Sequence, residues 1–357
     1  MGLKFPTDLG QWQNWAEKQN LLRYTKNSLL KAKKPQTQEE KLALYSKSSQ
    51  TPLVLLALEA FTPTQQAALL SPAQELEKQG IAVAILAPAK LGPQLEKRGW
   101  RQSLASIDSS PQQPRELAAI KEVLAVGHYL PAGQWAYEQG RAKGWTFRVV
   151  QHGLNTPFAP PLPEESHLFS FSDQDANFWI SGRRDLSYTV AGSQLFYQAR
   201  AKTSEQQLQQ LGQLKKEPIF LGQMHGAELR RLSFARAAYT FCKNHHAAYR
   251  PHPAEKDILS KTTHKLWAKM GIKFADLQLD LNQTDNPVVS VFSTGVLEAA
   301  MRGVPAWVYH PSPPDWLKEF WKRYGMNRWG GPPTPAPIQP AEEPALLIAR
   351  TIAQQLE

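Results

Sequence analysis

The chain has 357 residues, 42% of them hydrophobic, which is enough for about two domains with cores of their own. Lysine and arginine outnumber aspartate and glutamate by 41 to 31, and the net charge of +10 favours anionic partners: nucleotide phosphates, anionic lipid headgroups or nucleic acid. The single cysteine, Cys242, excludes a framework of internal disulfides, and no stretch has the ~18 consecutive apolar residues of a membrane-spanning helix. The first residues lack the apolar core of a signal peptide, so we expect a cytoplasmic protein, either free or in contact with the inner face of a membrane.

Residues 1–50 are polar and basic, with scattered tryptophans and leucines, and this pattern predicts a helical N-terminal segment of short amphipathic helices. From residue 51 onward, short apolar runs alternate with segments of helical spacing. The apolar runs predict strands at 52–59, 81–88, 123–130, 145–153, 167–172 and 186–193. Such alternation is typical of a parallel sheet covered by helices on both faces. We therefore predict a Rossmann-like N-terminal domain over 51–193.

The second half of the chain repeats this organisation after a helical segment at 194–216, rich in glutamine and lysine, that suits a connector. Predicted strands at 218–223, 247–253, 272–276, 288–292 and 304–309 alternate with helices and define a second Rossmann-like domain over 217–340. Residues 341–357 are predicted to form an amphipathic C-terminal helix. The predicted fold class is thus α/β, with two Rossmann-like domains that face each other across a cleft. Clefts between domains are frequent substrate sites.

Polar residues directly follow three of the predicted strands. Gln151-His152-Gly153 follows a strand of the first domain, whereas Arg250-Pro251-His252 and Ser293-Thr294-Gly295 follow strands of the second. Open α/β sheets bind their ligands at the carboxyl ends of the strands. These three loops are therefore the candidate site.

The segment Asn286–Pro311 is predicted as strand, turn, helix and strand, with Ser293, Thr294 and Gly295 at the turn and Glu298 one turn into the helix. The free N–H groups of a helix's first turn and the helix dipole favour an anion, and a phosphate is the ligand we expect. The alternative is that Ser293 or Thr294 only caps the helix and that Glu298 is a solvated helix residue.

Two histidines are the main candidates for chemistry. His252 lies between prolines that stiffen its loop, so its ring could donate to a phosphate oxygen or protonate a departing phosphate. Arg250 could pair with the same phosphate or with an acidic neighbour. His152 could take a proton from an acceptor hydroxyl, unless it is a structural histidine. Carboxylates in the segment SDQD are alternative bases, although that segment is also typical of a helix N-cap.

Gln223 ends the first predicted strand of the second domain and His225 follows it, and both could line a donor site. No histidine or cysteine cluster has the spacing of metal ligands, and the sequence contains neither a Walker A loop, nor a GxGxxG motif, nor a DxD pair in a loop after a strand. We therefore predict a metal-independent reaction.

In their order along the chain, the segments QHG, RPHP and FSTGVLEAAMRGVPAWVY resemble the GT-B glycosyltransferases of bacterial surface polysaccharide assembly, over roughly residues 149–311. The likeness is greatest to the capsule polysaccharide group that includes Kdo transferases. It is more distant to CDP-glycerol glycerophosphotransferases and to bacterial sialyltransferases with an HP motif. The resemblance implies that His252, Ser293 and Thr294 hold the donor's phosphate, that Glu298 contacts its ribose or sugar, and that His152 is a base. The acidic base motif of the sialyltransferases is absent.

The resemblance implies an inverting glycosyltransferase that moves a sugar from a nucleotide-activated donor to a surface polysaccharide or glycolipid acceptor. A CMP-Kdo-like donor is the first expectation, followed by a CDP-polyol or a UDP-sugar. The N-terminal domain would bind the acceptor and the C-terminal domain the nucleotide sugar, with no further cofactor. Peripheral membrane contact would fall on the N-terminal residues or on the aromatic helix predicted at 315–324, which could equally pack between domains.

Three other functions fit parts of the pattern. A CDP-polyol phosphotransferase would use the same phosphate-binding residues. A sugar-nucleotide epimerase would need several carboxylates in the cleft, of which the sequence offers few. The net charge is also compatible with a polyanion- or RNA-binding protein, but the lysines and arginines are dispersed and no aromatic RNA-binding signature is present, so nucleic acid is not the expected partner.

Overall fold

The computed structural model describes residues 2–19, 41–107, 115–201, 216–224, 226–276 and 284–357. These residues form two units, each with its own β-sheet. The first unit contains the described residues within Met1–Asn14, Asn27–Leu195 and Gln339–Glu357, and the second those within Trp15–Lys26 and Phe196–Ile338. The chain is therefore α/β with two parallel-sheet units, as the alternating pattern predicts.

The larger sheet belongs to the first unit. Its strands are β1 Leu42–Ser46, β2 Val54–Ala57, β3 Val83–Pro88, β4 Arg101–Ile107, β5 Glu122–Ala125, β6 Thr146–Val150, β7 His167–Ser170 and β8 Ser187–Val190. They lie in the order β4-β1-β3-β2-β5-β6-β7-β8. β1 runs antiparallel to both neighbours, whereas the pairs from β3 to β8 are parallel. The smaller sheet consists of β9 Ile219–Leu221, β10 Ala248–Arg250, β11 Val288–Ser290 and β12 Ala306–Val308, all parallel, in the order β10-β9-β11-β12.

Helices connect most of these strands. In chain order the described α-helices of five or more residues are α1 Leu9–Gln19, α2 Ser71–Lys78, α3 Gly92–Glu96, α4 Pro131–Lys143, α5 Asp173–Ile180, α6 Gln194–Ala201, α7 Arg231–His245, α8 Ile258–Lys269, α9 Gly295–Met301, α10 Asp315–Arg323 and α11 Pro344–Leu356. A π-helical turn, Gln66–Leu70, leads directly into α2. No helix in the described ranges is long and apolar enough to cross a membrane.

Alternating side chains of the larger sheet build a core on each face, because successive residues of a strand point to opposite sides. Leu55, Val123 and Val149 pack on one face, where α4 and α5 cover them. Leu56, Leu124 and Val150 pack on the other, where α2 and α11 cover them through residues such as Leu76 and Ile348. The C-terminal helix thus completes the core of the first unit.

Two strands of the larger sheet contradict the sequence analysis. β1 lies in the segment that we predicted to be helical. The prediction was wrong because its four buried residues form an apolar run that is too short for periodicity to distinguish a strand from a helix. β4 was not predicted, because its side chains are mostly exposed and polar. An edge strand needs little apolar character, since only one of its sides is paired.

Candidate functional site

The order of strands in the smaller sheet reverses between β9 and β11. From β9 the chain passes to β10 on one side and then to β11 on the other. Loops that leave parallel strands diverge at such a point and open a crevice at the carboxyl edge of the sheet, where α/β proteins bind ligands. Residues 222–224 leave β9 and residues 291–294 leave β11, so the predicted site residues Gln223, Ser293 and Thr294 lie at this reversal point.

Gln223 joins the two loops. Its side-chain Oε1 accepts hydrogen bonds from the Ser290 hydroxyl at 3.0 Å and from the Phe292 main-chain N–H at 3.2 Å. The Ser290 hydroxyl in turn accepts from the Ser293 N–H at 3.2 Å. Ser290 is completely buried and the three bonds are partly buried, so they fix the turn that carries Ser293.

The hydroxyls of Ser293 and Thr294 have different roles. Ser293 Oγ accepts from the Gly295 N–H at the start of α9 at 3.2 Å, whereas Thr294, the N-cap residue, makes no capping hydrogen bond with its side chain. The next N–H groups, of Val296 and Leu297, donate to the carbonyls of Ser293 and Thr294. The Thr294 hydroxyl has no hydrogen-bond partner within the described part of the chain. A phosphate at this turn would replace Ser293 Oγ as acceptor, and the Thr294 hydroxyl would be a further donor. Glu298 is partly buried one turn further on.

His252 lies at the surface, beyond the end of β10. Its Nδ1 accepts from the Ala254 N–H at 3.1 Å, so the neutral ring carries its proton on Nε2. Desolvation of the ring lowers the pKa of His252 below its usual range, although the Glu255 carboxylate opposes this shift. At neutral pH the ring is thus a hydrogen-bond donor. The sequence analysis also considered it as a proton donor to a departing phosphate, which would require a bound anion to raise that pKa.

Arg250, at the end of β10, donates through Nη1 to the carbonyl of Asp276 at 3.3 Å. It lines a pocket whose other walls include Glu217 and Asn286, which precede β9 and β11. Its predicted pairing with a donor phosphate stays a prediction. His225 lies outside the described residues, and no group of three or more histidine, cysteine, aspartate or glutamate side chains suited to a metal occurs within them.

The sequence analysis missed Glu255, a buried carboxylate beside the reversal point. It accepts hydrogen bonds from the Met224 N–H at 2.9 Å and the Tyr249 hydroxyl at 2.9 Å, and His264 Nε2 lies 3.0 Å from it. Its own N–H donates to the His252 carbonyl at 2.8 Å. Glu255 therefore ties the loop after β9 to the loop that carries His252. In the sequence it stands among charged residues, where nothing distinguishes a buried carboxylate from a solvated one.

Gly222 makes this arrangement possible. A Cβ at this position would lie 2.5 Å from Tyr249 Oη and 2.7 Å from Glu255 Oε1. Since such distances are shorter than van der Waals contact, a side chain at residue 222 would push the tyrosine or the carboxylate away.

In the first unit, His152 follows β6 and lines a narrow pocket with Gln151, Phe171 and Ser193. Its Nδ1 is buried and has no hydrogen-bond partner among the described residues. Burial lowers the pKa of His152 to about 4, so the ring is neutral at pH 7 and a weak proton acceptor. Gly153 is not in the left-handed region, and a Cβ there would meet open space, so the turn after His152 does not require glycine.

The strand order of the larger sheet also reverses, between β2 and β5. Glu59 follows β2, and its Oε1 accepts from the Gly133 N–H of α4 at 2.7 Å. His128 follows β5; its Nδ1 is buried and has no hydrogen-bond partner among the described residues, and burial together with the charge of Arg183 lowers its pKa to about 4. The sequence analysis missed both residues because it extended the strands to 52–59 and 123–130, whereas they end at Ala57 and Ala125.

No family model matches the chain, and no curated protein matches it in sequence. Among solved structures, a UDP-N-acetylglucosamine 2-epimerase from Rickettsia bellii has a TM-score of 0.49 and 9% identity, over 85% of this chain and 96% of that one. A glycosyltransferase from Rickettsia africae has a TM-score of 0.46 and 11% identity, over 86% and 88% of the two chains. Anabaena HepE, solved with UDP-glucose, has a TM-score of 0.46 and 14% identity, over 85% and 90%. These likenesses concern the fold, and no functional conclusion is based on them.

Proposed function

We propose that the second unit binds the nucleotide part of an activated sugar and that the protein is a glycosyltransferase. The observation that carries the proposal is the reversal point between β9 and β11. There Gln223 fixes a turn that offers the Thr294 hydroxyl to an anion, which would also accept from the Gly295 N–H in place of Ser293 Oγ. His252 follows β10, and the axis of β10 lies two strands, or roughly 10 Å, from that of β11. Its Nε2 would donate to the same diphosphate or monophosphate group.

Such an arrangement suits a leaving phosphate, because donors held in place stabilise charge as it develops without first having to reorganise. The neutral His252 would contribute a hydrogen bond, and its pKa would rise once the anion is bound. Glu298 would contact the ribose or the sugar, as the resemblance implies. Arg250 and His225 are proposed as further donor-site residues because of their positions at the ends of predicted strands.

The acceptor is proposed to be a surface glycan or glycolipid that binds to the first unit, with inversion at the transferred sugar. His152, or a carboxylate such as Glu59, would remove the proton from its hydroxyl. A CMP-Kdo-like donor remains the first candidate, before a CDP-polyol and a UDP-sugar. No metal is included in the proposal.

The proposal is tested by thermal denaturation of the purified protein with CMP, CDP, UDP, GDP and their sugar conjugates. A nucleotide at about 100 times its dissociation constant should stabilise the fold by roughly 2.7 kcal/mol. We expect one base to stabilise selectively, with the effect lost in His252→Asn and kept in His246→Asn, a surface histidine at the end of α7.

The active donor is then incubated with and without candidate glycan acceptors and followed by NMR. Release of nucleotide with a new glycosidic linkage supports the transferase. Conversion of the donor to its epimer without loss of nucleotide would instead identify an epimerase. If no nucleotide stabilises the protein, the phosphate site is wrong and binding to polyanions becomes the next function to test.

A further inference from the structure

Helix α8 carries several large apolar side chains that are exposed to solvent and do not pack in the core of the second unit. Ile258 is 62% exposed, Leu259 54%, Leu266 54% and Met270, which ends the helix, 43%. The opposite face is held in the second unit by Trp267 and Ser260, which are 5% and 0% exposed. At 100° per residue, Leu259, Leu266 and Met270 lie on one line along the helix. These three side chains therefore form an apolar stripe about 40° wide, and Ile258 lies about 100° from it around the helix.

A row of lysines occupies the neighbouring solvent-exposed part of the helix, centred about 120° from this stripe, and Ile258 lies within it. Lys261, Lys265 and Lys269 follow one another at intervals of four residues and are all exposed. The helix contains no acidic residue. The two acidic residues that precede it are turned to internal partners: Asp257 accepts from the Ser260 N–H at 2.9 Å, and the side chain of Glu255 is completely buried. The lysine charges on this face are thus not neutralised by the helix itself.

We propose that this surface, which we call the α8 face (Ile258, Leu259, Lys261, Lys265, Leu266, Lys269 and Met270), docks on an anionic lipid bilayer. A helix that lies in the membrane interface inserts aliphatic side chains to a shallow depth while lysines beside them contact lipid phosphates. Lysine stems can also lie along the acyl boundary with their ammonium groups at the headgroups. The helix would lie flat, over a length of about 18 Å.

The composition of the α8 face favours lipid over a protein partner. Protein interfaces are enriched in aromatic residues and arginine and depleted in lysine. The α8 face has three lysines and four aliphatic side chains, and neither an aromatic residue nor an arginine. This surface differs from the one expected from the sequence, since α10 buries Leu317, Phe320 and Trp321 in the second unit.

The proposal is independent of the nucleotide site and is tested without nucleotide, by sedimentation of the full chain with vesicles of phosphatidylcholine alone or mixed with phosphatidylglycerol. We expect binding only to the anionic vesicles. Each lysine near such a surface contributes about 1 kcal/mol, so the triple change Lys261→Gln, Lys265→Gln, Lys269→Gln should weaken binding by on the order of a hundredfold. The matched change Lys97→Gln, Lys121→Gln, Lys143→Gln removes three exposed lysines from the first unit and should have much less effect.

Insertion of the apolar stripe is measured separately. Leu266→Cys is labelled with an environment-sensitive fluorophore, since Cys242 is buried and is the only other thiol. Ile338→Cys, at a residue 97% exposed, is the control. A blue shift on anionic vesicles for the label at residue 266 alone supports the proposal.

Three results would overturn it: no binding to anionic vesicles, binding that the α8 lysine changes leave intact, or a loss of self-association in those variants, which would identify the α8 face as a contact between copies of the chain. Unchanged thermal denaturation of each variant shows that the differences do not come from unfolding.

Discussion

The Gln223 side chain accepts a hydrogen bond from the buried Ser290 hydroxyl at 3.0 Å and so connects the carboxyl ends of β9 and β11. The two residues are 67 positions apart in the sequence. Their bond joins the two loops at the point where the strand order reverses. The candidate donor site therefore depends on a contact between two loops that neither loop specifies alone.

Replacing Gln223 by alanine should destabilise the protein by about 1–3 kcal/mol, because the Ser290 hydroxyl and the Phe292 N–H lose their shared acceptor in a buried place. Equilibrium unfolding in urea measures the change. Gln223→Glu keeps an acceptor at the same position and should cost less. Equal stability of Gln223→Ala and the unaltered protein would show that water replaces the bond and that it does not hold the loops.

Gly222→Ala should destabilise the second unit by about 1–3 kcal/mol, because the new methyl group would meet the Tyr249 hydroxyl and the Glu255 carboxylate. Gly153→Ala is the matched control, since its methyl group would meet open space, and should change the free energy of unfolding little. Addition of Tyr249→Phe to Gly222→Ala removes the closest clashing atom and should recover part of the loss. A neutral Gly222→Ala would mean that the tyrosine moves aside at no cost.

The neighbouring hydroxyls of Ser293 and Thr294 should separate stability from binding. Ser293→Ala removes the side-chain acceptor of the Gly295 N–H at the start of α9 and should lower the free energy of unfolding by about 1 kcal/mol. Thr294→Val keeps the shape of the side chain, should leave stability nearly unchanged, and should weaken nucleotide binding by roughly fivefold to tenfold through the lost hydrogen bond. Unfolding in denaturant and titration calorimetry measure the two effects. Binding that Thr294→Val leaves intact would remove this hydroxyl from the donor site.

Stability should fall as the pH is lowered from 6.5 towards 4. Burial lowers the pKa of both His128 and His152 from 6.5 to about 4, so between these values the unfolded chain binds more protons than the folded one. The stabilisation is fully present above pH 6.5 and is lost as the pH falls towards 4. Each histidine contributes at most about 3 kcal/mol to this loss. Urea unfolding across this pH range measures it. The double change His128→Asn, His152→Asn should flatten the curve there, whereas His246→Asn should not; an unaltered slope would place the acid sensitivity elsewhere.

The alternation of apolar runs with helical segments was sufficient to predict the α/β class, because a strand buried in a parallel sheet needs a continuous apolar run whatever its neighbours are. The runs at 81–88 and 167–172 correspond to β3 and β7. The sequence predicted neither β1 nor β4. One is a short apolar run in a basic segment and the other a polar edge strand, and in both cases the pairing partner supplies most of the stability.

The candidate site also has features that the local sequence predicts and features that only the tertiary structure shows. Local sequence was enough to place Ser293 and Thr294 after a strand, since a turn residue directly after an apolar run is a local signal. Gln223 was assigned to the predicted strand 218–223, whereas β9 ends at Leu221. The order of strands in the sheet is not local, and only the tertiary structure showed that β9 and β11 are neighbours and that their loops meet through Ser290. The burial of individual side chains also depends on the tertiary structure. The fold surrounds Glu255 with three hydrogen-bonding partners and holds His128 and His152 neutral, and the residue types by themselves contain no information about those surroundings.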